Sequence, residues 1–120
     1  MTEYAPLDAF VERYVAVWNE PDPRAREAKV SALWAHDGQM INRLTRYRGR
    51  ADVNEGVTRS YDAFVARGFR FEAEGFRAHH DALLLFWLMR DAAGEPDSRG
   101  VNYIQLNGRG EITLDHQFAE

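Results

Sequence analysis

The hydrophobic period of this chain changes at Gly68, and that change constrains the fold more than any other feature. Before it, apolar residues recur every three or four positions: Leu7, Phe10, Val11, Tyr14, Val15 and Trp18, then Ala28, Val30, Leu33 and Trp34, then Val53, Val57, Tyr61, Phe64 and Val65. Each set marks a helix with one buried face. After Gly68, Phe69, Phe71 and Ala73 alternate with Arg70, Glu72 and Glu74, the period of two of a half-buried strand. Helices followed by strands predict an α+β fold in which three helices pack on one sheet of long hairpins. With 120 residues there is room for one core, so residues 1–120 are read as one domain.

The boundaries follow from breakers and caps. The first helix runs from Pro6 to Asn19 and stops at Pro21-Asp22-Pro23, where Asp22 and Pro23 supply an N-cap and first turn for the second. That second helix is expected to end near His36-Asp37-Gly38. A short strand from Gln39 to Leu44 and a polar loop from Thr45 to Arg50 lead into the third helix, expected to reach Gly68. Strands are then expected at Phe69–Glu74, His79–Met89, Val101–Leu106 and Glu111–Phe118, with turns at Asp91–Ser98 and Asn107–Gly110.

Leu83-Leu84-Leu85-Phe86-Trp87-Leu88-Met89 is apolar on both parities, so both faces of that strand need cover. One helical layer covers only one face, and a second copy of the same sheet is the cover expected for the other, giving a two-fold homodimer. The formal charge of -4 supplies no positive field for a nucleic-acid backbone. No apolar run is long enough to span a bilayer, and the start of the chain lacks a signal-peptide pattern. Without cysteine there is no disulfide framework or thiolate chemistry. A cytoplasmic protein without nucleic-acid or membrane partners is expected.

Tyr14 to Asn19, Leu33-Trp34-Ala35-His36-Asp37-Gly38, Tyr47-Arg48-Gly49 and the final Gly110-Glu111-Ile112 to Phe118 occur here in a characteristic order. Together they resemble the nuclear transport factor 2-like superfamily, in its SnoaL-like branch of polyketide cyclases and ketosteroid isomerase relatives. The resemblance covers nearly the whole chain. It implies a cone-shaped, curved, antiparallel or mixed sheet closed on one side by three helices, a cystatin-like α+β barrel with an apolar cavity at its mouth. Fold alone does not give the activity. Ketosteroid isomerases combine a helix-one tyrosine, a carboxylate base after helix two and a protonated acid on the penultimate strand. The resemblance puts Tyr14 at the first position and Asn42 and Asn102 at the other two. Amides do not accept a proton at neutral pH, so the usual isomerase proton shuttle is not expected.

The candidate catalytic groups are therefore Tyr14, His79 and Asp115. His79 is a base if it faces the cavity with Asp81 beside it, since a neutral imidazole titrates near working pH. The last strand is ambiguous. Alternation favours Ile112, Leu114, His116 and Phe118 as the buried face, whereas the resemblance turns Asp115 and Gln117 inward; a bulge would reconcile the two, and either Asp115 or His116 is then a second acid or base, against a surface Asp beside a core His. Trp18, Asn42, Tyr61, Trp87, Asn102 and Gln117 are the candidate ligand contacts. Arg43, Arg46, Arg48 and Arg50 around Tyr47 suit an acidic ligand at the cavity mouth, or a solvated loop. His79-His80-Asp81 places at most two ligands on one face, so no metal site is expected, and no phosphate-binding loop or nucleophile elbow occurs. The expected activity is cofactor-independent isomerase, cyclase, dehydratase or hydrolase chemistry on a small hydrophobic metabolite. The alternative is a binding or dimeric association module of the same fold.

Overall fold

The computed structural model describes residues 5–120. Helix α1 (Ala5–Asn19) buries Phe10, Val11, Tyr14 and Trp18 of the stripe its spacing predicts, together with Val17, which that stripe omits, while Leu7 and Val15 are half-buried. Helix α2 (Pro23–Leu33) starts on Asp22, whose carboxylate accepts the Ala25 amide at 2.8 Å. It ends at Leu33, earlier than the sequence suggests. Trp34 is already extended (φ -89°, ψ 139°) and opens strand β1 (Trp34–Ile41), because its backbone pairs with Ile112 instead of continuing the helix. A second difference follows directly. Arg46–Arg48, expected as loop, forms the short strand β2 against Gln39–Ile41.

Helix α3 (Arg50–Ala63) breaks at Phe64 (φ -127°), and a single 3-10 turn at Val65–Arg67 completes the path to Gly68. Strand β3 runs Arg70–His79, β4 Ala82–Arg90, β5 Pro96–Leu106 and β6 Ile112–Ala119. His79 therefore does not begin the apolar strand. It ends the preceding one, and His80 (φ 53°) and Asp81 form a tight turn between His79 and its partner Ala82.

The six strands form one mixed sheet in the order β2-β1-β6-β5-β4-β3, antiparallel except where β1 lies parallel to β6. Register shifts between Ala73 and Gly75 on β3 and opposite Gln105–Leu106 on β6 interrupt the ladder, and bulges of this kind increase twist and bend. The concave side carries Trp34, Leu83, Leu85, Ile104 and Ile112 into a core shared with Val30, Leu33, Val53 and Val57 of the helical side. Full burial of each such side chain contributes roughly 1.5–3 kcal/mol.

On β4, Leu83 and Leu85 are buried, while Leu84 and Phe86 are 39% and 37% exposed on the convex side. Their cross-strand partners extend that apolar row through Tyr103 and His116, and through Val101 and Phe118. Among the described residues no helix is long and apolar enough to cross a membrane.

Candidate functional site

Between α1, α3 and the concave sheet lies a cavity of about 640 Å³. Tyr14 and Trp18, one helical turn apart on α1 with ring centroids 6.0 Å apart, form one wall. Phe71 of β3 and Trp87 of β4 form another, meeting edge to face at 5.6 Å. Met40 and Leu85 complete the apolar lining from β1 and β4. The indole of Trp87 lies against Gly100 of β5, where any side chain would strike the ring, so glycine there sets how the wall is built.

The polar groups converge on the Tyr14 hydroxyl. It donates to Asp115 Oδ2 at 2.6 Å and accepts from Asn102 Nδ2 at 2.7 Å. Asn102 Oδ1 in turn accepts from Trp87 Nε1 at 3.0 Å, which fixes the orientation of the amide. Gln117 Nε2 lies 3.3 Å from Asp115 Oδ2 and 3.5 Å from the Tyr14 oxygen. Asp115 is fully buried behind Tyr14, and its Oδ1 has no hydrogen-bond partner among the described residues. Burial pushes its carboxyl up from 3.8 to about 7, opposed by the hydrogen bonds from Tyr14 and Gln117 that favour the carboxylate. Burial, followed by the nearby Asp115 charge, also holds the Tyr14 phenol well above its usual range. Of the pair, the carboxyl is therefore the group that titrates near neutrality.

The bulge anticipated on the last strand is present. Leu106 pairs with Ile112 but Gln105 with Leu114, so Thr113 is the extra residue and its hydroxyl bonds the Gln105 carbonyl at 3.2 Å. Ile112 and Asp115 both point inward as a result, and each is fully buried. His116 faces the convex side and stacks on Phe118 at 5.0 Å.

Of the candidate residues, Tyr14, Trp18, Asn42, Trp87, Asn102 and Gln117 line the cavity, and Asp115 lies one hydrogen bond behind its floor. Asn42 caps its own turn, its Oδ1 accepting the Leu44 and Thr45 amides at 2.9 Å each, so only its NH2 end is left for a ligand. Two candidates fall elsewhere. His79 is exposed at the turn after β3, so the condition on which it was a base, that it face the cavity, is not met. Tyr61 lies on the other side of α3, with the Arg26 guanidinium 4.2 Å from its ring centre. That Arg26 is buried, and it ties the helices together through the Glu20 and Pro21 carbonyls and the Thr58 hydroxyl. Sequence reasoning does not single out Met40, Tyr47 or Phe71 as cavity walls, although the aromatic alternation of β3 contains the signal for Phe71.

No protein-family model matches the sequence, and no curated protein matches it. Solved structures do. One from Agrobacterium tumefaciens, provisionally assigned as an isomerase of the SnoaL-like family, superposes with a TM-score of 0.88 at 23% identity, covering 100% of this chain and 99% of that one. The chain has the nuclear transport factor 2-like fold. A Sinorhizobium meliloti protein provisionally assigned as a polyketide cyclase gives 0.71 at 14% identity over 91% of this chain and 93% of its own. A Catenulispora acidiphila protein with a ketosteroid isomerase-like fold, solved with trimethylamine, gives 0.71 at 18% identity over 91% and 83%. At these identities the likeness is one of fold. Within it, amides stand at the two positions where the resemblance expects carboxylates, Asn42 and Asn102, and the buried acid enters from β6 as Asp115.

Proposed function

We propose that the chain binds a small hydrophobic metabolite and performs cofactor-independent acid–base chemistry on it, of the isomerase, cyclase, dehydratase or hydrolase type. One observation carries this reading: the Tyr14 hydroxyl, on the cavity wall, is 2.6 Å from a buried carboxyl whose pKa is about 7. With Asp115 protonated, its O–H can turn to Tyr14, and the phenolic proton is then free to point into the cavity and polarise a carbonyl or hydroxyl oxygen. With Asp115 ionised, Tyr14 accepts a proton from the substrate while passing its own to Asp115, so no phenolate forms on the way. Tyr14 is the group that touches substrate; Asp115 acts through it. Asn102 and Gln117 hold the pair in place, Asn42 supplies an amide donor, and Trp18 and Trp87 enclose the apolar body.

A second reading, a binding module without turnover, is favoured by the only proton of that hydroxyl being committed to Asp115 when Asp115 is ionised. A thermal-shift screen with steroids, terpenoid epoxides and polyketide-like aromatics, followed by turnover assays on the stabilising compounds, separates the two. The catalytic reading expects turnover with a pH limb near 7 that Asp115→Asn removes and Tyr14→Phe abolishes. Turnover unaffected by Tyr14→Phe refutes it, and stabilisation without turnover supports the binding module.

We also propose that the protein is a two-fold dimer through the convex sheet face. The row of Leu84, Phe86, Val101, Tyr103, His116 and Phe118 supports this, because it runs across three paired strands as a mostly apolar surface on which Leu84, Phe86 and Phe118 are exposed. Leu84→Asp is expected to halve the sedimenting mass, and an unchanged sedimentation coefficient rejects the interface. A cytoplasmic location is part of the same proposal, supported by a cysteine-free sequence suited to a reducing compartment.

A further inference from the structure

Three charged residues are among those that line the cavity, and their partners differ. Glu72 is paired with Arg90 at 3.1 Å, and Arg59 with Glu55, one helical turn away, at 2.6 Å. Arg43 makes no ion pair or side-chain hydrogen bond among the described residues. The mouth therefore carries one uncompensated positive charge on a protein whose formal charge is -4. Its backbone position is set by the Asn42–Thr45 turn, closed by an Asn42 amide bond to the Thr45 carbonyl at 3.0 Å and by the two amides that Asn42 Oδ1 accepts.

Around the same mouth stand Leu44 and Phe64, exposed by 78% and 38%. Large apolar side chains facing water beside a free guanidinium make an amphipathic rim. The floor has a different character: its polar groups are the Tyr14 hydroxyl and the Asn102 and Gln117 amides, with the Asp115 acid buried behind them. An anionic group driven to that floor would lose its hydration and face the Asp115 carboxyl. At the mouth it keeps water on one side and gains a charge-assisted bond on the other.

We propose that the ligand of this cavity is an amphipathic anion, its apolar body enclosed by the aromatic walls and its anionic group held at the mouth by Arg43. The proposal rests on the reading of the cavity as a ligand site and adds the charge and orientation of what enters it. Arg59 contributes less, because Glu55 already holds it.

Two dyes with the same rings test it: 1-anilinonaphthalene-8-sulfonate, which is anionic, and N-phenyl-1-naphthylamine, which lacks the sulfonate. Titrations are followed by fluorescence on the full chain and on Arg43→Gln, Arg59→Gln and Ser60→Trp, the last placing an indole in the cavity from the α3 wall. Arg43→Gln is expected to weaken the sulfonate about five-fold and leave the neutral dye unchanged, with a smaller loss for Arg59→Gln. Raising salt to about 0.5 M should reproduce the Arg43 effect in the wild type. Ser60→Trp should remove binding of both dyes. An Arg43→Gln effect equal for the two dyes, or absent from both, overturns the anion inference and leaves the cavity reading standing. Binding of neither dye, or binding of both that survives Ser60→Trp, overturns the cavity reading along with it.

Discussion

Replacing Asp115 by asparagine keeps a carbonyl acceptor for the Tyr14 hydroxyl but removes the group that titrates. In the folded protein burial raises that carboxyl from 3.8 to about 7. The folded state therefore holds a proton that the unfolded chain has already released over the interval between those values. Stability falls as pH rises through that window and is level above it. The whole interval corresponds to about 4 kcal/mol, at about 1.4 kcal/mol for each pH unit separating the two pKa values. Between pH 5 and pH 8 the wild type should lose about 3 kcal/mol relative to Asp115→Asn, or about 10 °C in relative Tm for a chain of this size. Any cost of orphaning an amide hydrogen beside the unpartnered Oδ1 position is independent of pH, so the slope is the quantity to read. Urea unfolding followed by tryptophan fluorescence suits the measurement, because Trp18 and Trp34 pack within about 6 Å of the Tyr14 ring. Parallel pH profiles for the two proteins would refute the reasoning, since they would mean that Asp115 ionises as it does in the unfolded chain.

Tyr14→Phe strips the Asp115 carboxylate of its shortest hydrogen bond, and at pH 8 should cost about 1–3 kcal/mol in urea unfolding; a smaller loss at pH 5 is expected because the carboxyl is neutral there. Gly100→Ala drives a methyl group into the Trp87 indole, and should cost about 1–3 kcal/mol while changing the environment of that tryptophan in near-UV circular dichroism. An unaltered spectrum would mean that the wall adjusts elsewhere. His79→Ala should stay within about 0.5 kcal/mol of wild type and leave dye binding at the cavity unchanged, because the side chain is exposed at a turn. Loss of binding in that variant would place His79 closer to the ligand than the fold allows.

How much of this was legible in the sequence depends on the range of the interaction that decides each point. Helix α1 and its buried stripe follow from local spacing, and so does the start of α2, where Asp22 and Pro23 act within one turn. Trp34 shows the limit. Its local pattern continues a helix, but parallel pairing of β1 with Ile112, far along the chain, converts it to strand. His79 shows another. A run that reads as one strand from His79 to Met89 is cut by a tight turn at His80-Asp81, and apolar periodicity has no term for a residue at positive φ.

The sequence by itself determined that this is an α+β fold, that Tyr14 and Trp18 share one helix face, and that β4 is apolar on both parities. Each of these is a matter of period and composition, which neighbouring residues carry. Only the tertiary structure decided that Thr113 is the bulge turning Asp115 inward, that Tyr14 meets it across 101 positions of sequence, and that Arg43 stands at the mouth without a partner among the described residues. The reason is physical. A pKa, a hydrogen-bond relay and an uncompensated charge depend on which distant groups share a desolvated volume, and only the closed fold determines that.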